Sequence, residues 1–457
     1  MKKHLFYFTA IVLMQGVYSV LPAISSAQKI ACGSYHSLFI CNDSTLNSWG
    51  ANTDGQLGGG TGPSNVPLVV TLFNHVTAVG GGLQHSMILK DDSTVWAWGG
   101  NIAGELGNGT YLSSPTPTQV SGLTGVSAIS TMYHSMALKQ DSTVVDWGDN
   151  TYGQLGNTSV TFSSNVPVPV TGLSGITHIA CGYYHSLAIK SDSTVWAWGG
   201  SGGNGTNTNI YVAVPIAGLT GILAISAGNG FSIALKSDST VWAWGNNTDG
   251  ELGNGSNAIS FTPVQVSGLT GIVAITSGVY HSLALKSDGT VWAWGFNLFG
   301  QLGDSSNTGS NIPVQVRGLS GMIAIAAGYG HSMAMKSDSV AWAWGDNSSG
   351  QLGNGTFAVS NIPVRVTALC QGPSAVNEIT ERISLSVFPN PFEKDFILRG
   401  TREKGVAVIF DVTGKEIFRQ MAKEGETEIK DGNLFPGLYL LRYEYGLNSA
   451  VLKLVNF

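Results

Sequence analysis

Residues 281–295 read HSLALKSDGTVWAWG, and the order of apolar and polar residues in them indicates how this segment folds. In an extended chain, successive side chains point to opposite faces, so apolar residues at every second position indicate a strand. The first half of the stretch shows this alternation, and the second half repeats it with Trp292 and Trp294. Between them, Ser287-Asp288-Gly289 has the composition of a hairpin turn. The stretch therefore predicts two antiparallel strands joined by a tight turn.

The dipeptide Trp-Gly recurs along the chain at an almost constant period of 46 to 51 residues. Its tryptophans are Trp49, Trp98, Trp147, Trp198, Trp244, Trp294 and Trp344. Thirteen residues earlier, six copies carry a histidine and the fifth carries Phe231. The histidines are His36, His85, His134, His185, His281 and His331. A fixed period of this size indicates one supersecondary unit repeated in space.

Each copy contains further strand-like segments outside the hairpin. Residues 272–275 predict a strand before it, and residues 263–266 predict an outer strand in which proline's missing N–H is tolerable. Seven copies of three or four short strands, without a helical period, predict an all-β fold, a seven-bladed β-propeller. The last outer segment, residues 363–366, has no downstream copy to join. We expect it to complete the first blade and close the ring.

The copies also carry a family resemblance. Residues 278–303 follow the pattern GxxHSxALxxDGxVxxWGxNxxGQLG, which resembles the regulator of chromosome condensation repeat. The resemblance covers about residues 29–370 and implies a seven-bladed β-propeller.

Both ends of the chain predict export. Residues 1–27 have the basic start and apolar run of a signal peptide, with cleavage between Ala27 and Gln28 and a membrane anchor as the alternative. After a linker at 371–382, residues 383–457 predict a small immunoglobulin-like β-sandwich. Its SVFPNP, DVTGK and PGLYL segments resemble the C-terminal sorting domain of the type IX (Por) secretion system of Bacteroidetes-type bacteria. This resemblance implies contact with the type IX secretion machinery and a secreted or cell-surface protein. A passive structural domain is the alternative. The founding activity of the repeat family, nucleotide exchange on a nuclear GTPase, is not expected of an exported bacterial protein.

The net charge of the propeller, residues 28–370, indicates which classes of partner it is not expected to bind. This region has 9 Lys and Arg against 16 Asp and Glu. A nucleic-acid-binding protein needs clustered cations to displace counterions from phosphates, and this region has no such cluster. We therefore expect neither a nucleic acid nor an anionic membrane as a partner. We also expect no stable membrane span, because no segment after residue 27 is long and apolar enough to cross a bilayer.

The repeated polar residues do not have the arrangement that catalysis or metal binding requires. His281, Ser282 and Asp288 resemble a hydrolase triad, but His281 and Asp288 lie up to about 23 Å apart along an extended chain. The repeated histidines lack the close spacing of metal ligands. We therefore expect no catalytic residue, no metal and no cofactor. All 12 tryptophans occupy two repeated positions, which favours packing between blades over a ligand cage.

The four cysteines fall into two classes. Cys32 and Cys181 align with each other at a position of small residues and are expected to be buried. Cys41 lies in the first copy and Cys370 ends the last copy. In an exported protein, a Cys41–Cys370 disulfide would join the two ends of the ring.

Candidate binding residues come from the positions at which the copies differ. Tyr35, Tyr133, Tyr184 and Tyr280 each precede the repeated histidine and should cluster near one face; packing within the turns is the alternative. Tyrosine is enriched at protein interfaces. We expect a monomeric, non-enzymatic propeller that binds an extracellular protein or glycan. The alternatives are a secreted inhibitor similar to β-lactamase-inhibiting propellers, or a hydrolase whose site lies on the divergent loops 107–118 or 303–311.

Overall fold

The computed structural model describes residues 28–201, 203–370, 386–388, 395–401, 404–411, 415–430, 434, 437–445 and 448–456. The expected signal peptide and linker lie outside these residues, although Gln28 is described. The chain forms two compact units, which divide between Gln371 and Gly372. Each unit is described by itself.

The first unit consists of seven four-stranded antiparallel sheets, the blades, each built from four consecutive strands. Blades one to four contain β1 to β16: Ile30–Cys32, His36–Ile40, Leu46–Gly50, Ser64–Val69, Val76–Gly81, His85–Lys90, Val95–Gly99, Ser114–Gln119, Val126–Thr131, His134–Lys139, Val144–Asp149, Ser163–Pro169, Ile176–Cys181, His185–Lys190, Val195–Gly199 and Ile210–Pro215. Blades five to seven contain β17 to β28: Ile222–Ala227, Phe231–Lys236, Val241–Gly245, Ser260–Gln265, Ile272–Ser277, His281–Lys286, Val291–Gly295, Ser310–Gln315, Ala324–Ala327, His331–Met335, Ala341–Gly345 and Ser360–Arg365.

Blade six shows how the repeated sequence folds. Its second and third strands, β22 and β23, pair with His281 opposite Gly295 and Leu285 opposite Val291. The turn between them contains Gly289, whose φ of 77° lies in the left-handed region that favours glycine. The predicted hairpin is therefore confirmed.

The first strands of the blades line the centre of a closed ring. Each inner strand contacts the inner strand of the next blade, and β25 of blade seven contacts β1 of blade one. The seven-bladed β-propeller predicted from the repeats is thus the fold of this unit.

The expected closure by an exchanged strand is wrong. β28 pairs with β27 of its own blade, with Val364 opposite Ala343. Blade one has its own outer strand, β4, which pairs with β3. The outer side of β3 is occupied by β4, so the position in blade one that the last outer segment was expected to fill is already taken. Each outer segment therefore pairs with the Trp-Gly strand that precedes it in the sequence.

Apolar clusters between neighbouring blades form the core. Between blades five and six, Ile233 and Leu252 pack with Ala284 and Trp294. The interface between blades seven and one has the same composition, although its two sides come from opposite ends of the repeat array. There, Met333 and Leu352 of blade seven pack with Phe39 and Trp49 of blade one.

A disulfide joins the first and last blades. The structure brings together the two cysteines predicted to pair, with the Sγ atoms of Cys41 and Cys370 2.07 Å apart. Cys32 and Cys181 are free and buried, as expected. The ends of the ring are therefore held by side chains rather than by a shared sheet.

The second unit contains two sheets with a common apolar core. Its strands β29 to β35 are Ser386–Phe388, Asp395–Thr401, Gly405–Phe410, Glu416–Ala422, Gly425–Lys430, Gly437–Tyr445 and Asn448–Asn456. One sheet has the order β29-β30-β33 and the other the order β32-β31-β34-β35. Phe396 and Ile429 of the first sheet pack with Ile409 and Tyr443 of the second. This is the small immunoglobulin-like sandwich predicted for the tail.

Candidate functional site

The propeller has two different faces, which we call the loop face and the hairpin face. The loop face is formed by the turns before the second strands and by the loops between the third and fourth strands. These loops are residues 51–63, 100–113, 150–162, 200–201 with 203–209, 246–259, 296–309 and 346–359. The hairpin face is formed by the turns between the second and third strands and by the connections between blades.

The repeated histidine and serine link neighbouring blades. In blade six, the Nε2 atom of His281 lies 2.8 Å from the Oγ atom of Ser332 in blade seven. Ser282 points to the other side, and its hydroxyl donates to the carbonyl oxygen of Glu251 in blade five. The equivalent histidine–serine pairs, at 2.7 to 3.0 Å, are His36–Ser86, His85–Ser135, His134–Ser186, His185–Ser232 and His331–Ser37.

These histidines are structural and uncharged. A serine hydroxyl has one proton, and each paired serine of this set that donates to a loop carbonyl must accept from the imidazole. Burial lowers the pKa of His281 and of His331 to about 3. The Nε2 atom of His281 therefore reaches no backbone group directly, because the hydroxyl of Ser332 lies between this ring and the carbonyl oxygen of Gln301.

A serine, a histidine and a carboxylate also meet between blades three and four. The Nε2 atom of His134 lies 2.7 Å from the Oγ atom of Ser186 and 3.9 Å from the Oδ1 atom of Asp146. All three residues are fully buried, and burial raises the pKa of Asp146 well above its usual range. Both partners lie on the same ring nitrogen, so the arrangement lacks the geometry of a catalytic triad.

The tryptophans divide into two environments. Those of the Trp-Gly dipeptide are completely buried, and Trp294 donates its indole N–H to the carbonyl oxygen of Glu251 at 2.8 Å. Trp292, two residues earlier, is only half-buried, and the Nζ atom of Lys286 lies 5.9 Å from its ring centroid. Packing between blades is therefore the role of the first set, whereas the second set reaches the surface.

The loop face brings the four predicted tyrosines into two aromatic groups. Tyr133 and Tyr184 have ring centroids 6.1 Å apart. Tyr35 and Tyr280 each lie 5.5 Å from Tyr329. Of the four predicted residues, Tyr35 is 37% exposed and the other three are half-buried. Their clustering on one face is therefore a feature of the structure, and their binding role stays a prediction.

Sequence reasoning missed the residues that connect these groups. Tyr183 lies 4.9 Å from Tyr133 and 4.5 Å from Tyr184, and both Tyr183 and Tyr329 pack against one apolar cluster that contains Met132. Tyr183 and Tyr329 both lie two residues before the repeated histidine, whereas the predicted tyrosines lie one residue before it. A comparison of both variable positions in the GxxH turn would have found them.

Charge is distributed unequally between the two faces. All nine Lys and Arg residues of 28–370 lie at or next to the hairpin face. Seven carboxyl groups belong to the loop face: Asp54, Glu105, Asp149, Asp249, Glu251, Asp304 and Asp346. Burial raises the pKa of Glu251 to about 7. The loop face is therefore aromatic and acidic.

The ring encloses a central cavity of about 580 Å³, lined by the inner strands. Cys32 and Cys181 line it, and burial raises the pKa of both thiols. Within the described part of the chain, no three His, Cys, Asp or Glu side chains come together as a metal site. Among the same residues, no helix has the length and apolarity to cross a bilayer.

Sequence comparison assigns the propeller. Six segments match the Regulator of chromosome condensation (RCC1) repeat and together span more than half of the chain: residues 43–89, 92–138, 144–189, 238–285, 288–335 and 338–378. This chain belongs to the regulator of chromosome condensation repeat family. A second description of the same repeat matches residues 27–56, 76–105, 176–206, 222–251, 272–301 and 322–351. The comparison with curated protein sequences found no match.

Solved structures of this repeat family share the fold. Human WBSCR16 has a TM-score of 0.63 at 23% identity, covering 71% of this chain and 94% of that one. Prp20p from Saccharomyces cerevisiae has a TM-score of 0.63 at 22% identity, covering 75% and 86%. The structure of Kap60 bound to yeast RCC1 (Prp20) has a TM-score of 0.63 at 20% identity, covering 80% of this chain and 91% of that one. At these identities, the likeness shows the fold alone.

The tail has its own assignment. Residues 386–456 match the Secretion system C-terminal sorting domain. The tail therefore indicates export by type IX secretion, as its sequence segments predicted.

Proposed function

We propose that this chain is an exported binding protein without enzymatic activity, and that its loop face docks a partner protein. The observation that carries the proposal is the tyrosine cluster on this face. Rigid aromatic side chains that are partly exposed and close together are typical of the energetic centres of protein interfaces. The surrounding loops add exposed apolar side chains, with Ile102 86% exposed and Leu298 63% exposed.

The buried chemistry of the propeller supports a binding role. The repeated histidines are uncharged and at most 2% exposed, so they are unsuited to exchange protons with a substrate. The yeast structural neighbour Prp20p binds Gsp1p and histones, so the propeller fold is compatible with protein partners. We also propose that the protein is a monomer and that it is secreted to the cell surface or the medium. The proposal holds whether or not the tail is removed during export.

A capture experiment with two matched variants tests the proposal. The full chain is immobilised and exposed to the extracellular proteins and glycans of the producing culture. Tyr35→Gln combined with Tyr184→Gln alters the loop face, and Gln84 already occupies the equivalent position in the second copy. The control, Asp192→Asn, changes the hairpin face.

We expect a stoichiometric protein complex that is lost in the tyrosine variant and kept in the control. A captured enzyme that loses its activity in the complex identifies an inhibitor. Capture of a glycan instead of a protein, equal capture by both variants, or turnover of a substrate without a stable complex would contradict the proposal.

A further inference from the structure

A small pocket on the loop face of blade two has an unusual lining. Its volume is about 190 Å³, and its walls include Asp54, Glu105, Tyr111 and Tyr133. Ligand pockets for whole small molecules are typically about 300–1,000 Å³, so this pocket is nearer to the size of one side chain. Two acidic residues and two tyrosines thus line a space that fits a single side chain.

Gly100 leaves this pocket without the side chain that several other blades have there. In blade five, the Nδ2 atom of Asn246 donates to the Oε1 atom of Glu251 at 3.0 Å. In blade seven, Asp346 accepts from Gln351 at 2.8 Å. Blade two combines the acidic residue Glu105 with Gly100, which has no side chain to offer. Its carboxyl group therefore lacks the amide partner found in blade five.

Glu105 is consequently a desolvated carboxyl group without a cation. It is 9% exposed, and its Oε2 atom accepts from the backbone N–H of Ala103 at 2.9 Å. Burial raises its pKa above the usual range. None of the ion pairs among the described residues includes Glu105. A buried carboxylate is costly unless partners compensate it, and here only backbone N–H groups, that of Ala103 among them, serve as partners.

We propose that this pocket takes the guanidinium group of an arginine presented by the partner protein. This inference rests on the proposed binding function and adds the chemistry of the partner. A guanidinium fork matches carboxylate geometry and interacts favourably with aromatic rings, so it suits Glu105, Asp54 and the two tyrosines. Arginine is also among the residues that dominate interface energetics.

The charge of the whole face supports the same partner. The seven carboxyl groups of the loop face have no lysine or arginine among them within 28–201 and 203–370. Complementary potentials accelerate association and disfavour wrong partners. A basic protein surface is therefore the complement of this face, with the blade-two pocket as the point where one side chain enters.

The test uses Nα-acetyl-arginine amide and its neutral isostere Nα-acetyl-citrulline amide as probes, titrated into the full chain and followed by saturation-transfer NMR at pH 7.5. Glu105→Gln removes the charge and installs the residue found at Gln56 and Gln154. Gly100→Asn supplies the internal partner seen in blade five. The control is Glu251→Gln, which removes the same charge from the same face outside the pocket.

We expect the wild-type chain to bind the arginine probe at least fivefold more tightly than the citrulline probe. Glu105→Gln and Gly100→Asn should each abolish this preference, and Glu251→Gln should keep the affinity within twofold. Equal affinity for both probes, no saturable arginine binding, or equal losses in Glu105→Gln and Glu251→Gln would overturn the inference. Tyr35 does not line this pocket, so the capture experiment can succeed with a non-basic partner when this test fails.

Discussion

At the scale of single residues, the repeated stretch connects three blades. His281 pairs with Ser332 of the following blade, whereas Ser282 and Trp294 both donate to the carbonyl oxygen of Glu251 in the preceding blade. A buried polar group costs free energy unless it is hydrogen-bonded. The polar residues that resemble a hydrolase site are therefore the groups that fix each blade against its neighbours.

The two tryptophans of one strand should differ in their contribution to stability. Trp294→Ala removes a completely buried ring and should lower the free energy of unfolding by about 3–5 kcal/mol. Trp292→Ala should cost less than half of this, because its ring is half-buried and its N–H has no hydrogen-bond partner. Denaturant unfolding of both variants measures the difference. Equal losses would contradict the division into two environments.

Buried histidines should make the propeller sensitive to acid. Above pH 6.5, the imidazoles are neutral in both the folded and unfolded states. As the pH falls from 6.5 towards 3, the unfolded chain binds protons that His281, with a pKa of about 3, does not bind in the folded protein. The unfolded state is then favoured, by up to about 1.4 kcal/mol per pH unit for each such histidine.

His281→Phe tests this dependence, because Phe231 occupies the equivalent position in blade five. The loss of unfolding free energy between pH 7.5 and pH 5.0 should be about 2 kcal/mol smaller than in the wild-type protein. The control is Leu283→Ala, which removes a buried apolar side chain from the same strand without changing a titratable group and should leave the loss unchanged. Identical losses in all three proteins would refute the explanation.

At the scale of strands and sheets, each blade is complete in itself. β28 is held by β27, and the N–H of Val366 donates to the carbonyl oxygen of Ala341 at 3.0 Å. The equivalent bond in blade six joins Val316 to Val291 at 2.9 Å. The outer strand of blade seven thus has the same support as that of an interior blade.

Hydrogen exchange should reflect this local support. The amide of Val366 should be protected to the same degree as that of Val316, and it should stay protected after the Cys41–Cys370 disulfide is reduced. Mass spectrometry or NMR of the oxidised and reduced protein gives both values. Selective deprotection of Val366 on reduction would mean that closure of the ring, rather than β27, holds this strand.

The sequence predicts local elements better than contacts between blades. The alternation in residues 281–286 predicts the bounds of β22 because it depends only on neighbouring residues. The blade to which the outer strand belongs was predicted wrongly, because the spacing of the repeats is the same whether this strand pairs within its own copy or with another copy. The pocket at Glu105 could not be predicted, because it depends on Gly100 and on Tyr133 of the next blade meeting in space.

At the scale of the whole molecule, side chains close the ring. The cluster of Trp49 with Leu352, the His331–Ser37 pair and the Cys41–Cys370 disulfide all join blade seven to blade one. The two cysteines are 329 residues apart in the sequence. A cross-link that closes a long loop restricts the unfolded chain strongly.

Reduction of this bond should lower stability more than loss of a free thiol. We expect Cys41→Ser with Cys370→Ser to lower the free energy of unfolding by about 2–5 kcal/mol. Dithiothreitol should lower the melting temperature of the wild-type protein and leave that of the double variant unchanged. Cys181→Ser is the control, since Ser130 and Ser277 occupy the equivalent position. A wild-type melting temperature that dithiothreitol does not change would argue against the closure role.

The contiguous blades have a consequence for how such a ring can vary. Because no strand is shared between blades one and seven in the described propeller, the position of the chain ends is independent of the sheets. A circular permutant of the propeller that connects the end of blade seven to the start of blade one, and opens the chain between two other blades, would still encode seven complete sheets. Duplication or deletion of a single blade in a gene would likewise add or remove a whole sheet and one blade interface.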